Sequence, residues 1–392
     1  MKKKLMVALS AAAMAMSAAA VQAEDIKIGY VNTFSGPSGV LGKHYRDAFD
    51  LAIEELGGKM AGKTVVVEYA DDQLKPDISK SVVERLIERD EVDLIAGFNF
   101  SNVILAAMDT VVKDNDMLLI GSNPGPSILA GEQCHPNFFN IGQQNDGASE
   151  ALGRYLTREK VATAYAIAPN YQAGRDMIGG FKHGYDGEVV GEMFTQMGQT
   201  DFSTEISQIR AARPAAVFAF MPGGNGINFV KQWAQAGMIG RIPLYSVYTV
   251  DHSTLPAIGE AAVGTMGVSQ YVEDLDNPTN KAFVEAFVKR NGYKPSEYAA
   301  EGYDTAMLIN SAVVAVDGNV DDKEGMRKAL KKADFKSVRG DISFNTNQMP
   351  IQNYYLREAV KLPDGTLGFV TKEVAAEAYK DRYAGQCKNI TD

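Results

Sequence analysis

The stretch IKIGYVNTFSGPSGVLGKHYRDAFDLAIEELGGKMAGKTVVVEY, Ile26–Tyr69, decides the fold because its two glycine-rich turns read in opposite ways. IKIGYV is β-branched and apolar enough for a strand. His44 to Leu56 places Phe49, Ala52, Ile53 and Leu56 on one helical face, and TVVVEY (Thr64–Tyr69) is a second strand. The later turn, GGKMAGKT (Gly57–Thr64), satisfies the nucleotide-binding pattern G-x-x-x-x-G-K-[ST]. A phosphate loop, however, must follow a strand and open a helix, so that backbone N–H groups and the positive helix end face the phosphates. GGKMAGKT follows a helix and precedes a strand, so Gly57 and Gly58 read as a helix stop. The earlier turn, Asn32–Gly42, does sit between strand and helix. Its glycines, Gly36, Gly39 and Gly42, do not make G-x-G-x-x-G, and Pro37 removes an amide donor. That excludes a dinucleotide and leaves room for a smaller anion such as a carboxylate at the helix N-terminus.

The alternation continues: helix Ile78–Glu88, strand DLIAGF (Asp93–Phe98), helix Val103–Val112 and strand MLLIG (Met117–Gly121). It then restarts. A helix at Ala148–Leu156 leads to strand TAYAIA, helix Arg175–Phe181, strand EVVGEMF, helix Ser203–Ala211, strand AAVFAFM, helix Ile227–Ala236 and strand PLYSVY (Pro243–Tyr248). Strands alternating with helices predict parallel sheets covered by helices, and two series predict two lobes. In open α/β sheets ligands bind beyond the carboxyl ends of strands, so a cleft between lobes is lined by the residues after each strand.

The first 23 residues, with three lysines, an Ala-, Met- and Leu-rich run and small residues at Val21 and Ala23, read as a secretory signal peptide cleaved after Ala23. Its removal leaves 36 basic against 49 acidic residues, a net charge of −13. That excludes nucleic acid and anionic membrane as partners, since both require a basic face. The expected location is the periplasm. Two cysteines, Cys134 and Cys387, in an oxidising compartment read as one disulfide.

Polar residues gather after the first-series strands: Ser35 after the first, Phe98, Asn99, Phe100, Ser101 and Asn102 after DLIAG, and Gly121, Ser122 and Asn123 after MLLI. Hydroxyls, amides and free N–H groups bind a carboxylate without a counter-charge. The second series offers Tyr171, Phe220, Tyr248, Thr249 and Asp251, and Tyr303 follows in a later helix; aromatic rings at a cleft edge give flat apolar surfaces with a polar handle on tyrosine. Phe98 and Phe100 flank Asn99 in a turn that ends a buried strand, which places both rings in the cleft rather than the core. Catalytic groupings are thin. His44, His135, His183 and His252 are scattered with no metal-ligand spacing, and no G-x-S-x-G occurs. No catalytic residue, metal or cofactor is expected, and the chain does not read as an enzyme.

The chain resembles the periplasmic ligand-binding proteins of ABC importers of the leucine/isoleucine/valine-binding type. The likeness is carried by IKIGYVNTFSGPSGVLG, by VVVEYADDQLKP with SVVERLIERDEVDLIAG, by MLLIGSNP, by PNYQAGRDM and by YAAEGYDTAMLI, in that order. The resemblance implies two Rossmann-like α/β lobes joined by a three-crossing hinge, the type I periplasmic binding protein fold. Lobe one would comprise residues 24–142 and 272–346, and lobe two residues 143–271 and 347–392, the latter with the C-terminal tail. It also implies a monomer that delivers its ligand to an inner-membrane ABC permease.

In amino-acid-binding members the ligand carboxylate is held by groups matched here by Asn99–Asn102 and Gly121–Asn123. The ammonium is held partly by an acid after the strand matching PLYSVY; here Tyr248, Thr249 and Val250 stand there, and the first acid is Asp251. An unpaired buried ammonium would cost several kcal/mol. With Phe98 and Phe100 in the turn and the cysteine pair, the chain looks more like the branch that takes up aromatic carboxylates such as benzoate or phenylpropenoate derivatives. The docking expected is through Ser101, Asn102 and Ser122, closed over by Tyr171 and Tyr248. The alternatives are a branched-chain or other hydrophobic amino acid, with Asp251 pairing the ammonium, and a ligand sensor for a membrane receptor.

Overall fold

Two parallel sheets account for most of the strands of the protein, whose computed structural model describes residues 24–390. The expected signal peptide, residues 1–23, lies outside the described residues. The first sheet is built from Ile26–Asn32 (β1), Lys59–Met60 (β2), Lys63–Asp71 (β3), Leu94–Gly97 (β4), Leu119–Gly121 (β5) and Phe138–Asn140 (β6) in the order β2-β3-β1-β4-β5-β6. All its pairings are parallel except β2 with β3. Between them run helices Gly39–Glu55 (α1), Pro76–Glu88 (α2), Ser101–Asp109 (α3) and Ser127–Ala130 (α4).

The nucleotide-like turn has the role its context dictates. Gly57 and Gly58 take φ of 69° and 71° and donate to the carbonyls of Glu54 and Ile53, ending α1. Ala61 and Gly62, also at positive φ, turn β2 back onto β3.

The second sheet begins with helix Asp146–Arg158 (α5) and strand Thr163–Pro169 (β7). It continues through Gln172–Gly184 (α6), Glu188–Thr195 (β8), Ser203–Ala212 (α7), Ala216–Phe220 (β9), Gly224–Gln235 (α8), Leu244–Val247 (β10), Leu255–Ile258 (α9) and Met266–Ser269 (β11). The chain then returns to the first sheet as Pro278–Asn291 (α10), Glu297–Ala315 (α11) and Lys323–Lys332 (α12), which pack beside α1. It ends in Ser343–Phe344 (β12) and the hairpin Pro350–Lys361 (β13) and Leu367–Tyr379 (β14), added antiparallel to β11. β4 and β9 are buried along their whole length, as expected of strands covered on both faces.

The chain passes between the sheets three times, through residues 141–145, 270–277 and 333–342. One side chain ties the first and third passages together. Arg339 is fully buried; its Nε lies 2.8 Å from Asp304 Oδ2 on α11, and its guanidinium donates to the carbonyls of Ile141 (2.7 Å) and Gly142 (3.0 Å) and to Gln352 Oε1 (2.7 Å). Asp304 also accepts from Ser337 Oγ at 2.6 Å and the Val338 amide at 3.1 Å. A second buried pair, Arg357 of β13 with Glu297 of α11 at 2.9 Å, links the second sheet to the first-lobe helix. The Cys134–Cys387 disulfide forms across 253 residues and anchors the tail beside the first passage.

Removing one partner of a buried pair leaves the other charge uncompensated. Arg339→Met is therefore expected to cost about 3–5 kcal/mol in urea unfolding; a loss under about 1 kcal/mol would show that Asp304 and the hinge carbonyls find other partners.

Candidate functional site

The ends of the strands in the two lobes meet in a narrow chamber of only about 20 Å³, well below the range for ligand sites, so that a ligand requires its walls to move apart. From the first lobe it receives Asn99, Phe100 and Ser101 after β4 and Asn123 after β5; from the second, Tyr171, Phe220 and Tyr248. Seven of the residues singled out in the sequence are thus brought together. Ser35 lies further out, in an exposed vestibule with Lys75, Pro222 and Asn225 that shares the Phe100 wall.

The other candidates face elsewhere, for identifiable reasons. Gly97 and Phe98 both take positive φ, 106° and 63°, and the sharp turn carries the Phe98 ring into the core, where it is fully buried. The expectation that both phenylalanines line the cleft therefore holds for Phe100 alone. Asn102 reaches back to the Leu74 carbonyl at 3.3 Å. Gly121 is a strand residue packed on Phe138, and the Ser122 hydroxyl is held inside the lobe by Tyr30 at 3.2 Å and Thr305 at 2.9 Å, so neither Asn102 nor Ser122 docks into the chamber as expected. Thr249 accepts from the Met221 amide at 2.8 Å and braces β9 against β10. Asp251 is fully buried, accepts the Ser253 amide at 2.6 Å, and is not part of the chamber wall. Tyr303 donates to Glu55 at 2.6 Å and lines a groove on the outside of the first lobe.

Residues that sequence reasoning passed over complete the wall: Gln143 and Asn145 from the first passage, Pro124, Ala173, Met177, Pro222, and Tyr298 from α11. The passage IGQQND shows no strand-to-helix junction, so nothing local marked its amides. Tyr298 stands five residues before Tyr303, about 140° around the helix, and helical periodicity alone could have separated the two.

The chamber is an aromatic box floored by amides. Phe100, Tyr171, Phe220 and Tyr248 follow one another at centroid separations of 6.3, 6.2 and 6.3 Å, and Tyr298 closes the circuit. On the floor, Gln143 donates to Asn123 Oδ1 at 3.1 Å, Asn123 donates to Asn99 at 2.8 and 3.0 Å, and Tyr248 meets Gln143. Asn145 donates to Ser101 Oγ at 3.2 Å and to Asp176 Oδ2 at 2.8 Å.

Among the described residues, no carboxylate and no cation lines this space. Asp176, just behind it, is occupied by Ser127, Asn145 and Gln172. Donors, by contrast, are in surplus: Asn99 Nδ2 is buried without a partner, and α3, which starts at Ser101, has no side-chain cap. Such a site fits an anion held by dipoles, with flat apolar walls for its remaining surface.

A sequence profile described as periplasmic binding protein matches residues 25–366. The chain belongs to that family. It is 29% identical over 385 residues, 95% of this chain and 96% of the relative, to a Leu/Ile/Val-binding protein homolog of Brucella melitensis. A solute-binding protein of an ABC transporter from R. palustris, solved with benzoate, superposes with a TM-score of 0.87 at 29% identity, covering 93% of this chain and all of that one. Another, from Rhodopseudomonas palustris and solved with 3,4-dihydroxybenzoic acid, gives 0.84 at 28% identity over 91% of this chain and 99% of that one. A leucine-binding protein of Thermotoga maritima, at 19% identity, shares the fold with a TM-score of 0.78 over 89% of this chain and 98% of that one. The chain is accordingly a solute-binding protein of the ABC-transporter class and not an enzyme. No helix among the described residues is long and apolar enough to cross a membrane.

The two lobes of this solute-binding protein touch at the lip of the cleft. Gly223 and Gly224, at the start of α8, approach Ser38 and Pro37: a methyl group placed on Gly224 would lie 2.5 Å from Pro37 Cβ. Deeper in, Ser127 of the first lobe donates through its amide (3.1 Å) and hydroxyl (2.7 Å) to Asp176 of the second. A side chain at position 224 should hold the lips apart without touching ligand. Gly224→Val is expected to weaken binding roughly tenfold by lowering the closed population, read by titration calorimetry; unchanged affinity would mean that the lips do not meet in the loaded protein.

Proposed function

We propose that this chain is an exported solute-binding protein that captures a small aromatic carboxylate, of the benzoate or phenylpropenoate kind, and hands it to an inner-membrane ABC permease. The observation that carries this reading is a chamber walled by five aromatic rings with surplus hydrogen-bond donors and no acid to pair an ammonium. The carboxylate docks on Asn99, Ser101 and the N-terminus of α3, while the ring slots between Phe100, Tyr171 and Phe220. Closure brings Tyr171, Phe220 and Tyr248 onto it, and the ligand's preference for the closed state sets the closed population. The benzoate and dihydroxybenzoate bound to the two structural neighbours support the same ligand class. The protein acts as a periplasmic monomer after removal of residues 1–23, with lobes at 24–142 and 272–346, and at 143–271 and 347–392.

The names of the curated relatives favour a second reading, a hydrophobic amino acid such as leucine. It requires an acid at the ammonium, and Asp251 points its carboxylate at the Ser253 amide instead.

Thermal denaturation of refolded, ligand-free protein separates the two. Benzoate at a hundred times its Kd should add about 2.7 kcal/mol, a shift of a few degrees, while leucine leaves Tm unmoved. Tyr171→Ala should raise the Kd for benzoate on the order of tenfold or more. A shift with leucine that Asp251→Asn abolishes would establish the amino-acid reading in its place.

A further inference from the structure

Resting on the anionic ligand proposed above, we infer that Glu301 is a positioning residue for ligand capture: through Gln270 it decides where the Tyr248 hydroxyl sends its proton, and the protein takes up a proton at Glu301 when the anion enters.

Glu301 belongs to α11 and sits between the two carboxyls that hold the hinge arginines. Glu297, Glu301 and Asp304 fall four and three residues apart, on one face of the helix, and all are fully buried. Glu297 has Arg357 and Asp304 has Arg339, but no cation touches Glu301 among the described residues. Its oxygens accept from the Tyr45 hydroxyl and, at 2.6 Å, from Gln270 Nε2. Gln270, in the second passage, in turn presents its Oε1 to Tyr248, 2.8 Å away, and Tyr248 forms the chamber wall.

The donor count at Tyr248 exposes the coupling. Its hydroxyl has one proton and faces two carbonyl oxygens, those of Gln143 and Gln270. The Gln143 amide is committed by its donation to Asn123 at 3.1 Å. If Gln270 turns over, its amide nitrogen donates to Tyr248 and its oxygen faces Glu301, which must then carry a proton to donate. Tyr248 then directs its own proton to the chamber side, where it meets Gln143 or a ligand carboxylate. With Glu301 ionised, Gln270 is held the other way and consumes the Tyr248 proton.

The charges around Glu301 permit this exchange near neutral pH. Burial is the main influence and pushes its carboxyl up to about 8, opposed by Arg339 and the Tyr45 hydrogen bond and assisted by Glu297. Other titratable groups within its field are Tyr30 of β1, Tyr298 of α11, Tyr248 and Tyr354 of β13; burial raises each of these phenols further, so they stay neutral. Asp304 is held by Arg339. Glu297 and Asp146 are each pushed up to about 7, so a pH dependence must be assigned by substitution and not by its midpoint alone.

The sign follows from linkage. An anion in the chamber both repels an ionised Glu301 and uses the proton that only a protonated Glu301 frees, so binding raises the Glu301 pKa, and affinity falls as pH rises through it.

The test is titration calorimetry with benzoate, whose carboxyl stays ionised throughout, between pH 6.5 and 9 in buffers of different ionisation enthalpy. The expected result is a Kd that rises on the order of tenfold across that window, with proton uptake on binding in its upper half. Glu301→Gln, neutral and able to donate, should abolish the slope and the uptake and keep Kd near the low-pH value. A flat wild-type Kd without uptake overturns the inference and leaves the aromatic-carboxylate reading intact. So does a slope that survives in Glu301→Gln, or a variant whose Kd is displaced equally at every pH, the mark of a merely structural glutamate. Benzoate that fails to bind at any pH overturns both. If that variant does not fold, Gln270→Met, which cuts the relay between Glu301 and Tyr248, takes its place and should lessen the slope; a slope unchanged in it overturns the inference.

Discussion

Burying three carboxyls on one face of a helix is costly, and the hinge of this protein is organised around meeting that cost. Arg339 brings together Asp304 and the carbonyls of the first passage, and Arg357 brings the C-terminal hairpin onto Glu297. Arg339 also meets carbonyls 197 and 198 residues earlier in the chain, and Arg357 meets Glu297 60 residues earlier, so these contacts form only once the chain has passed between the lobes. Such pairs contribute little net stability against apolar substitutes of the same volume. What they provide here is placement: α11 is fixed relative to all three passages, and Tyr298 at its first turn is thereby fixed relative to the ligand chamber. The proposed hinge closure would turn about this point and leave the hydrogen-bonded floor of Asn99, Asn123 and Gln143 in place.

On the proposed reading, the chamber would hold an anion without carrying any charge of its own. An isolated counter-ion opposite the ligand would have to be desolvated when the cleft closes. Amides, hydroxyls and a helix N-terminus avoid that cost and still favour an anion once water leaves. The same reading implies discrimination: a zwitterion would bring an ammonium that finds no partner, and an aliphatic side chain would gain less than a flat ring from Phe100, Tyr171 and Phe220. Closure at Pro37 and Gly224 then seals the space.

Much of this was legible in the sequence because it is local. The alternation of strand and helix gave both sheets, and the context of Gly57–Thr64 removed a nucleotide site that its pattern alone would have suggested. Of the strand-end residues singled out in the sequence, Asn99, Phe100, Ser101, Asn123, Tyr171, Phe220 and Tyr248 converge on one chamber. The misplacements share a cause: a strand end fixes where a residue lies but not which way it points. Phe98 is reversed by two consecutive positive φ angles, Ser122 by partners on β1 and α11, and Asp251 by the turn that follows it. Gln143, Asn145, Gln270 and Glu301 act through contacts between segments 20 or more residues apart, as with Gln143 and Asn123 at 20 and Tyr248 and Gln143 at 105. No window of sequence contains both ends of such a contact.

The central claim is that an aromatic carboxylate drives this hinge closed. Small-angle scattering of residues 24–392, stripped of ligand and then titrated with benzoate, tests it most directly. The account predicts that the radius of gyration falls on saturation to the value calculated for the closed structure and that leucine leaves it unchanged. Benzoate binding with no compaction, or compaction driven by leucine instead, would contradict it.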